Sequence, residues 1–196
     1  MHCLENDTTT GDPIDCRILH AALALFVARG FHNVSVHDIQ RRAGVSIGSI
    51  YNHFGGKEGI ARALYEQVLQ QMEALVTEAL AGGDLRAAHR ALVARLFEWT
   101  ETRPDLMAYV FQARHREFLP DTPPICSAAP FRRLRDRVAQ AMARGELRRG
   151  DPWVVTSTLF GNAIRLVQLR LDGLVDTPLP ARAEETVALA WRAVAP

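Results

Sequence analysis

From residue 14 almost to its end, this chain repeats apolar residues every three or four positions, and strand signals are nearly absent. That spacing admits amphipathic helices and leaves little from which to build a sheet. The expected fold class is all-α, with Gly and Pro as punctuation. Residues 14–29 (IDCRILHAALALFVAR) place Ile18, Ala22, Leu25 and Phe26 on one face, and Gly30 stops the helix. Ser35 caps a short helix, SVHDIQRRA, with Asp38 at its third position as an approximate capping box and Gly44 at its end. Ser46 caps another short helix that runs to about Phe54, before Gly55-Gly56. Val45 just outside it and Ile50 at its fourth position read as a hydrophobic staple.

A long helix then runs from Lys57 to about residue 80, with Ile60, Leu64, Val68, Met72 and Leu75 as its apolar stripe. Gly82-Gly83-Asp84 breaks it, and helices over roughly 85–101 and from Pro104 follow. Beyond the loop FLPDTPP comes a helix with Phe131, Leu134, Val138 and Met142 inward. Asp151 and Pro152 open an unusually apolar helix over 152–171, and a last helix covers about 181–194.

Several function classes are disfavoured. Three cysteines, Cys3, Cys16 and Cys126, are odd in number and form no CxxC, so a disulfide framework or zinc cluster is not expected and a reducing compartment is. The first 13 residues, acidic and polar, read as a disordered tail and not as a signal peptide. No run approaches the ~20 apolar residues of a membrane span, so the expected place is the cytoplasm. His89 and His115 lack the partners of a metal site or catalytic base, and no nucleophile elbow, phosphate-cradling glycine loop or HExxH occurs. Neither catalytic residues nor a cofactor or metal site is expected.

Two short helices joined by Ala43-Gly44-Val45-Ser46 make a helix-turn-helix. Ile50 and Phe54, four apart, would face inward with the staple. The rest of SIGSIYNHF is Ser46, Ile47, Gly48, Ser49, Tyr51, Asn52 and His53, mostly small or hydrogen-bonding in place of the long charges of a plain solvated face. A helix entering a DNA major groove needs small residues at its leading end and phosphate donors on its flanks. Just beyond stands Lys57, the only lysine among 23 basic residues, at the first position of the long helix. A cation is mildly unfavourable there, unless a phosphate docks on the free N–H groups and meets both positive sources at once. Net charge is +1 for the chain; across residues 31–62, Arg41, Arg42, Lys57 and Arg62 against Asp38 and Glu58 give 4 − 2 = +2, a modest local footprint.

The stretch from Arg17 through RGFHNVSVHDI and AGVSIGSIYNHFGGKEGI resembles the DNA-binding domain of TetR-family transcriptional regulators. Gly55-Gly56 stands where that family often carries a basic or kinked pair. The resemblance implies that Ser35, Tyr51, His53 and Lys57 grip phosphates, and that residues 46–49 with Asn52 lie at base edges. It implies a domain over 14–56, a linking helix from 57, and a helical effector-binding and dimerisation domain over 57–196. It further implies a homodimer on a palindromic operator in double-stranded DNA, released by an unknown small-molecule effector. A helical small-molecule binder or enzyme with a vestigial helix-turn-helix is the rival.

The C-terminal two-thirds is less informative. Apolar residues on more than one stripe of 152–171, with Gly161 permitting close approach, suggest a dimer interface with Val187, Trp191 and Val194 of the last helix. Trp99, Met107, Phe111, Phe118 and Phe160 are candidate apolar linings of an effector pocket. Tyr109, His115, Asn162 and Arg165 are its candidate polar groups.

Overall fold

The computed structural model describes residues 3–4, 11–123 and 127–196, and among these it shows nine α-helices and no strand. They are α1 (Ile14–Arg29), α2 (Val36–Ala43), α3 (Ile47–Phe54), α4 (Lys57–Leu80), α5 (Leu85–Thr102), α6 (Pro104–Phe111), α7 (Ala129–Ala143), α8 (Pro152–Leu171) and α9 (Ala183–Val194). None is long and apolar enough to cross a membrane. The chain divides into two units, one of residues 1–71 with 108–125 and one of 72–107 with 126–196.

In the first unit α1 packs against α2 and α3. Ile18, Ile39, Ile50, Ile60 and Leu64 are fully buried there. Each such side chain contributes roughly 1.5–3 kcal/mol of burial, enough to hold a small three-helix domain once α4 joins it. Ser35 and Ser46 are the caps of α2 and α3, and Gly44 ends α2 in the left-handed region at φ 63°.

The second unit is a bundle in which α8 packs against α5, α7 and α9, and α5 also packs against α9. Arg170 of α8 grips the Glu101 carboxylate of α5 at 3.0 and 2.9 Å, and the same carboxylate accepts the N–H of Leu179 at 3.1 Å. The Arg170 hydrogen bond is the main reason that the Glu101 carboxyl titrates below its ordinary range. Chain before α9 makes a short 3-10 turn over Leu179–Arg182, so the last helix starts later than its apolar spacing predicts; Pro180 has no N–H to carry an α-helix there.

Two expectations need correction. Cys3 and Cys16 are joined in a disulfide, and Cys3 and Leu4 are buried, although cysteine spacing and tail composition suggested neither. A pair 13 residues apart, one member in a helix, follows no spacing rule, so only the folded chain reveals it. Val187 and Val194 are 2% and 1% exposed, which makes them core of their own unit and unavailable to a partner surface. Their helical spacing marks an inward stripe, and spacing does not say what covers it. Cys126 lies outside the described residues.

Candidate nucleic-acid interface

The turn between α2 and α3 is held by side chains from outside it. Arg17 of α1 donates from Nη2 to the carbonyls of Ala43 at 2.6 Å and Gly44 at 2.8 Å. Gln40 of α2 donates from Nε2 to the carbonyl of Val45 at 2.9 Å. Three successive turn carbonyls are thereby satisfied, and the angle at which α3 leaves α2 is set. A side chain at Gly44 would meet the Arg17 guanidinium at 2.9 Å, so the left-handed backbone and the clamp both require glycine.

Both short helices begin with side-chain caps. The Ser35 hydroxyl accepts the N–H of Asp38, while Asp38 accepts the N–H and hydroxyl of Ser35 at 2.9 and 2.5 Å. That hydroxyl, then the N–H, then the charges of Arg41 and Arg29 hold the Asp38 carboxyl below its ordinary range, against the cost of desolvation. Ser46 accepts the N–H of Ser49 at 3.1 Å, and their hydroxyls pair at 2.8 Å. Removing such a cap typically costs about 1 kcal/mol.

With Ile50 buried as the inner anchor, the outer face of α3 is open. Tyr51 is 55% exposed and Ile47 37%, and Ser46, Gly48, Asn52 and His53 are exposed with them; Ser49 is half-buried. A tyrosine and an isoleucine one turn apart on the surface of a small domain form a face suited to being covered. A side chain added at Gly48 would meet only the Ser46 hydroxyl at 3.8 Å, so nothing within the chain requires glycine there.

Lys57 opens α4, as its sequence position suggests, and it is half-buried. Its Nζ donates to the Phe31 carbonyl at 3.1 Å and sits 4.1 Å from the centroid of the Phe31 ring. Phe31 in turn stacks on Phe118 at 4.7 Å. The lone ammonium thus has an internal role, pinning the 3-10 turn Phe31–Asn33. An ammonium carries three donors, so this use is compatible with a phosphate contact.

Sequence reasoning missed three residues that position α3. Gln40 and Arg17 reach 5 and 26 or 27 positions along the chain, and no local pattern announces such reach. Gly59 is different. A side chain there would lie 1.7 Å from the Phe54 carbonyl oxygen, so glycine is what lets α4 abut the end of α3. A glycine in the first turn of a long helix was the available signal.

The candidate pocket residues fall in both units and act mainly in packing. In the first unit Tyr109 and His115 are buried, and the His115 ring meets the rings of Tyr65, Tyr109 and Phe118 edge-on or tilted. Phe111 there is half-buried. Burial pushes the His115 imidazole down to about 4, against a bond to the Tyr109 backbone. A cleft of about 370 Å³ in this unit is lined by Phe26, Phe31, Tyr109, Arg114 and Phe118 among others. In the second unit Met107 and Phe160 are buried, Trp99 lies under the Arg103 guanidinium at 4.8 Å, and Arg165 is exposed beside Gln168. Asn162 donates to the Thr186 carbonyl at 3.1 Å, tying α8 to α9.

Trp191 of α9 donates from its indole to His89 Nδ1 at 2.9 Å, and His89 Nε2 donates to the Leu159 carbonyl at 2.9 Å. Neither metal nor proton chemistry is called for by this histidine, which serves as a neutral bridge in the core. Gly161 is open, with nothing within 4 Å of an added side chain. Trp153 and Val154 at the start of α8 are 56% and 63% exposed, and Leu189 of α9 is 49% exposed.

Residues 18–64 match the family of bacterial regulatory proteins of the tetR type. The chain is 36% identical over 70 residues to the HTH-type transcriptional regulator UidR of Escherichia coli K12, covering 36% of this chain and 34% of that one. It is 30% identical over 112 residues to the HTH-type transcriptional repressor KstR2 of Rhodococcus jostii RHA1, covering 56% of this chain and 55% of that one. These matches span about a third to a half of the curated relatives. A crystal structure of a TetR-family transcription regulator from Marinobacter aquaeolei VT8 superposes with a TM-score of 0.75 at 25% identity, covering 93% of this chain and 95% of that one.

Proposed function

From the premise that residues 18–64 form a TetR-family domain, we propose that the chain is a ligand-responsive, sequence-specific transcriptional regulator. It would act in the cytoplasm, as a repressor, on a palindromic operator. The observation that carries this reading is the outer face of α3: exposed Ile47, Tyr51, Asn52 and His53 beside an internally unexplained Gly48, on a helix whose exit angle Arg17 and Gln40 fix. Small residues at the leading end let the backbone approach base edges, with the Ile47 side chain suited to a thymine methyl. Ser35, Tyr51, His53 and Lys57 flank that face as phosphate donors.

A second copy is needed because one short helix reads only a half-site. Two-fold symmetry places equivalent helices in successive major grooves about 34–36 Å apart. The exposed apolar residues of α8 and α9, Val154 and Leu189, with the open Gly161, support pairing through these helices. A small molecule bound more tightly by a dimer of the wrong spacing would release the DNA by differential affinity alone.

The test is Lys57→Ala. It should weaken binding to all duplexes alike and lower the salt slope by about one phosphate. A change in base preference with unaltered affinity for random DNA would refute the phosphate role. Ser49→Ala should instead alter preference at particular operator positions.

A further inference from the structure

The N-cap of α1 is Pro13, which offers no side-chain hydrogen bond to its first turn. The first turn of a helix has no intrahelical partners for its N–H groups, and terminal turns are among the first parts of a fold to open. Cys16 stands in that turn of α1, disulfide-bonded to Cys3. Leu4, next to Cys3, is 2% exposed, and His20, one turn beyond Cys16, has Nε2 2.6 Å from the Cys3 carbonyl. A covalent bond, a buried leucine and a hydrogen bond therefore seat residues 3–4 on α1. The residue after Cys16 is Arg17, whose guanidinium holds the Ala43 and Gly44 carbonyls in the helix-turn-helix.

We propose that Cys3 and Cys16 form a reversible oxidation site, at which a small-molecule disulfide staples the first turn of α1 and firms the Arg17 clamp, raising DNA affinity. The effect on DNA rests on the regulator reading above. Where thiols are kept reduced, a protein disulfide is ordinarily transient and sensing in place of structural. Oxidation proceeds by exchange. One cysteine thiolate attacks a sulfur of RSSR, forming a mixed disulfide and releasing RS⁻. The other thiolate then attacks the protein-bound sulfur, closing the Cys3–Cys16 bond and releasing the second RS⁻. The two cysteines lose two protons and two electrons, and RSSR leaves as two RSH. A dithiol reverses both steps.

The experiment uses full-length protein carrying Cys126→Ser, so that only this pair can react. One portion is treated with oxidised glutathione and one with dithiothreitol, and each selects duplexes from a random-sequence DNA library. If reduction leaves roughly a tenth of the molecules with a firm clamp, apparent affinity for the selected duplex falls about tenfold. The melting temperature should fall by about 10 °C, from the loss of loop closure. Cys3→Ser and Cys16→Ser should match the reduced protein and ignore oxidant. Two free thiols after oxidation, or a closed bond that alters neither affinity nor melting, would overturn the proposal. Failure to select any duplex in either state would instead count against the DNA-binding reading, and the melting shift would then decide the staple alone.

Discussion

The Ser46 hydroxyl receives the N–H of a residue three positions away, whereas the His89 ring joins Leu159 and Trp191, 70 and 102 positions away. The same difference runs through the two units. Around α2 and α3, Ser35, Asp38, Gln40 and Ser46 act within five residues of themselves and set where helices begin and how they turn. In the bundle, Glu101, Arg170, His89 and Trp191 bridge segments that meet only once the unit has assembled. Local bonds bias the chain before folding is complete; distant ones form with it, so losing one weakens the whole bundle together. Arg17 is the exception in the first unit, reaching 26 and 27 positions to the α2–α3 turn, whereas the caps of α2 and α3 are completed at close range.

Gly59→Ala should have the largest effect and tests whether the first unit is really closed by local fits. The added carbon would meet the Phe54 carbonyl at 1.7 Å, forcing a backbone shift at a cost of about 3 kcal/mol or more. DNA binding should be lost while the fluorescence of Trp191 in the other unit stays native. An unchanged melting profile would mean that α4 does not abut α3 as described.

His89→Leu probes the distant bonds. It leaves the Trp191 indole without its acceptor and removes the side-chain bond to the Leu159 carbonyl, at a cost of about 1–3 kcal/mol, read as a lower melting temperature of the bundle and an altered tryptophan emission. Retained stability would break the contrast between the units. Acid should act on the same residue. Burial pushes His89 down to about 4, with the Leu159 carbonyl opposing, while an unfolded histidine takes up its proton near 6.5. Because the unfolded chain then binds more protons, stability is full above about pH 6.5 and declines as pH falls towards 4. Chemical denaturation at stepped pH should show that slope, reduced in His89→Leu and not abolished, since His115 is shifted the same way.

Ser35→Ala should have the smallest effect, about 1 kcal/mol confined to the start of α2. Hydrogen exchange should rise at Asp38 and Ile39 and nowhere in the bundle. A global change would show that this cap is not local after all.

The range of interactions also explains what could be read beforehand. Caps at Ser35, Ser46 and Asp151, the Gly44 stop and the boundaries of α1, α3, α4 and α8 follow from residues within a turn of each other, and they stand where their signals lie. Arg17 opens the stretch that resembles the DNA-binding domain, but its clamp on the turn was not legible because its partners, Ala43 and Gly44, lie 26 and 27 positions away. Val187 and Val194 showed helical spacing but not what covers them. For Lys57, position alone pointed outward to a phosphate, and the inward contact with Phe31 became visible only with the ring above which it sits.

The missing side chain at Gly59 has a mechanical consequence. With the Phe54 carbonyl pressed against the first turn of α4, no room is left for a side chain between the end of α3 and that rod, so α3 is seated directly on it. On the proposed reading of α3, a joint without slack would carry any tilt of the start of α4 straight into the register of that helix on its target.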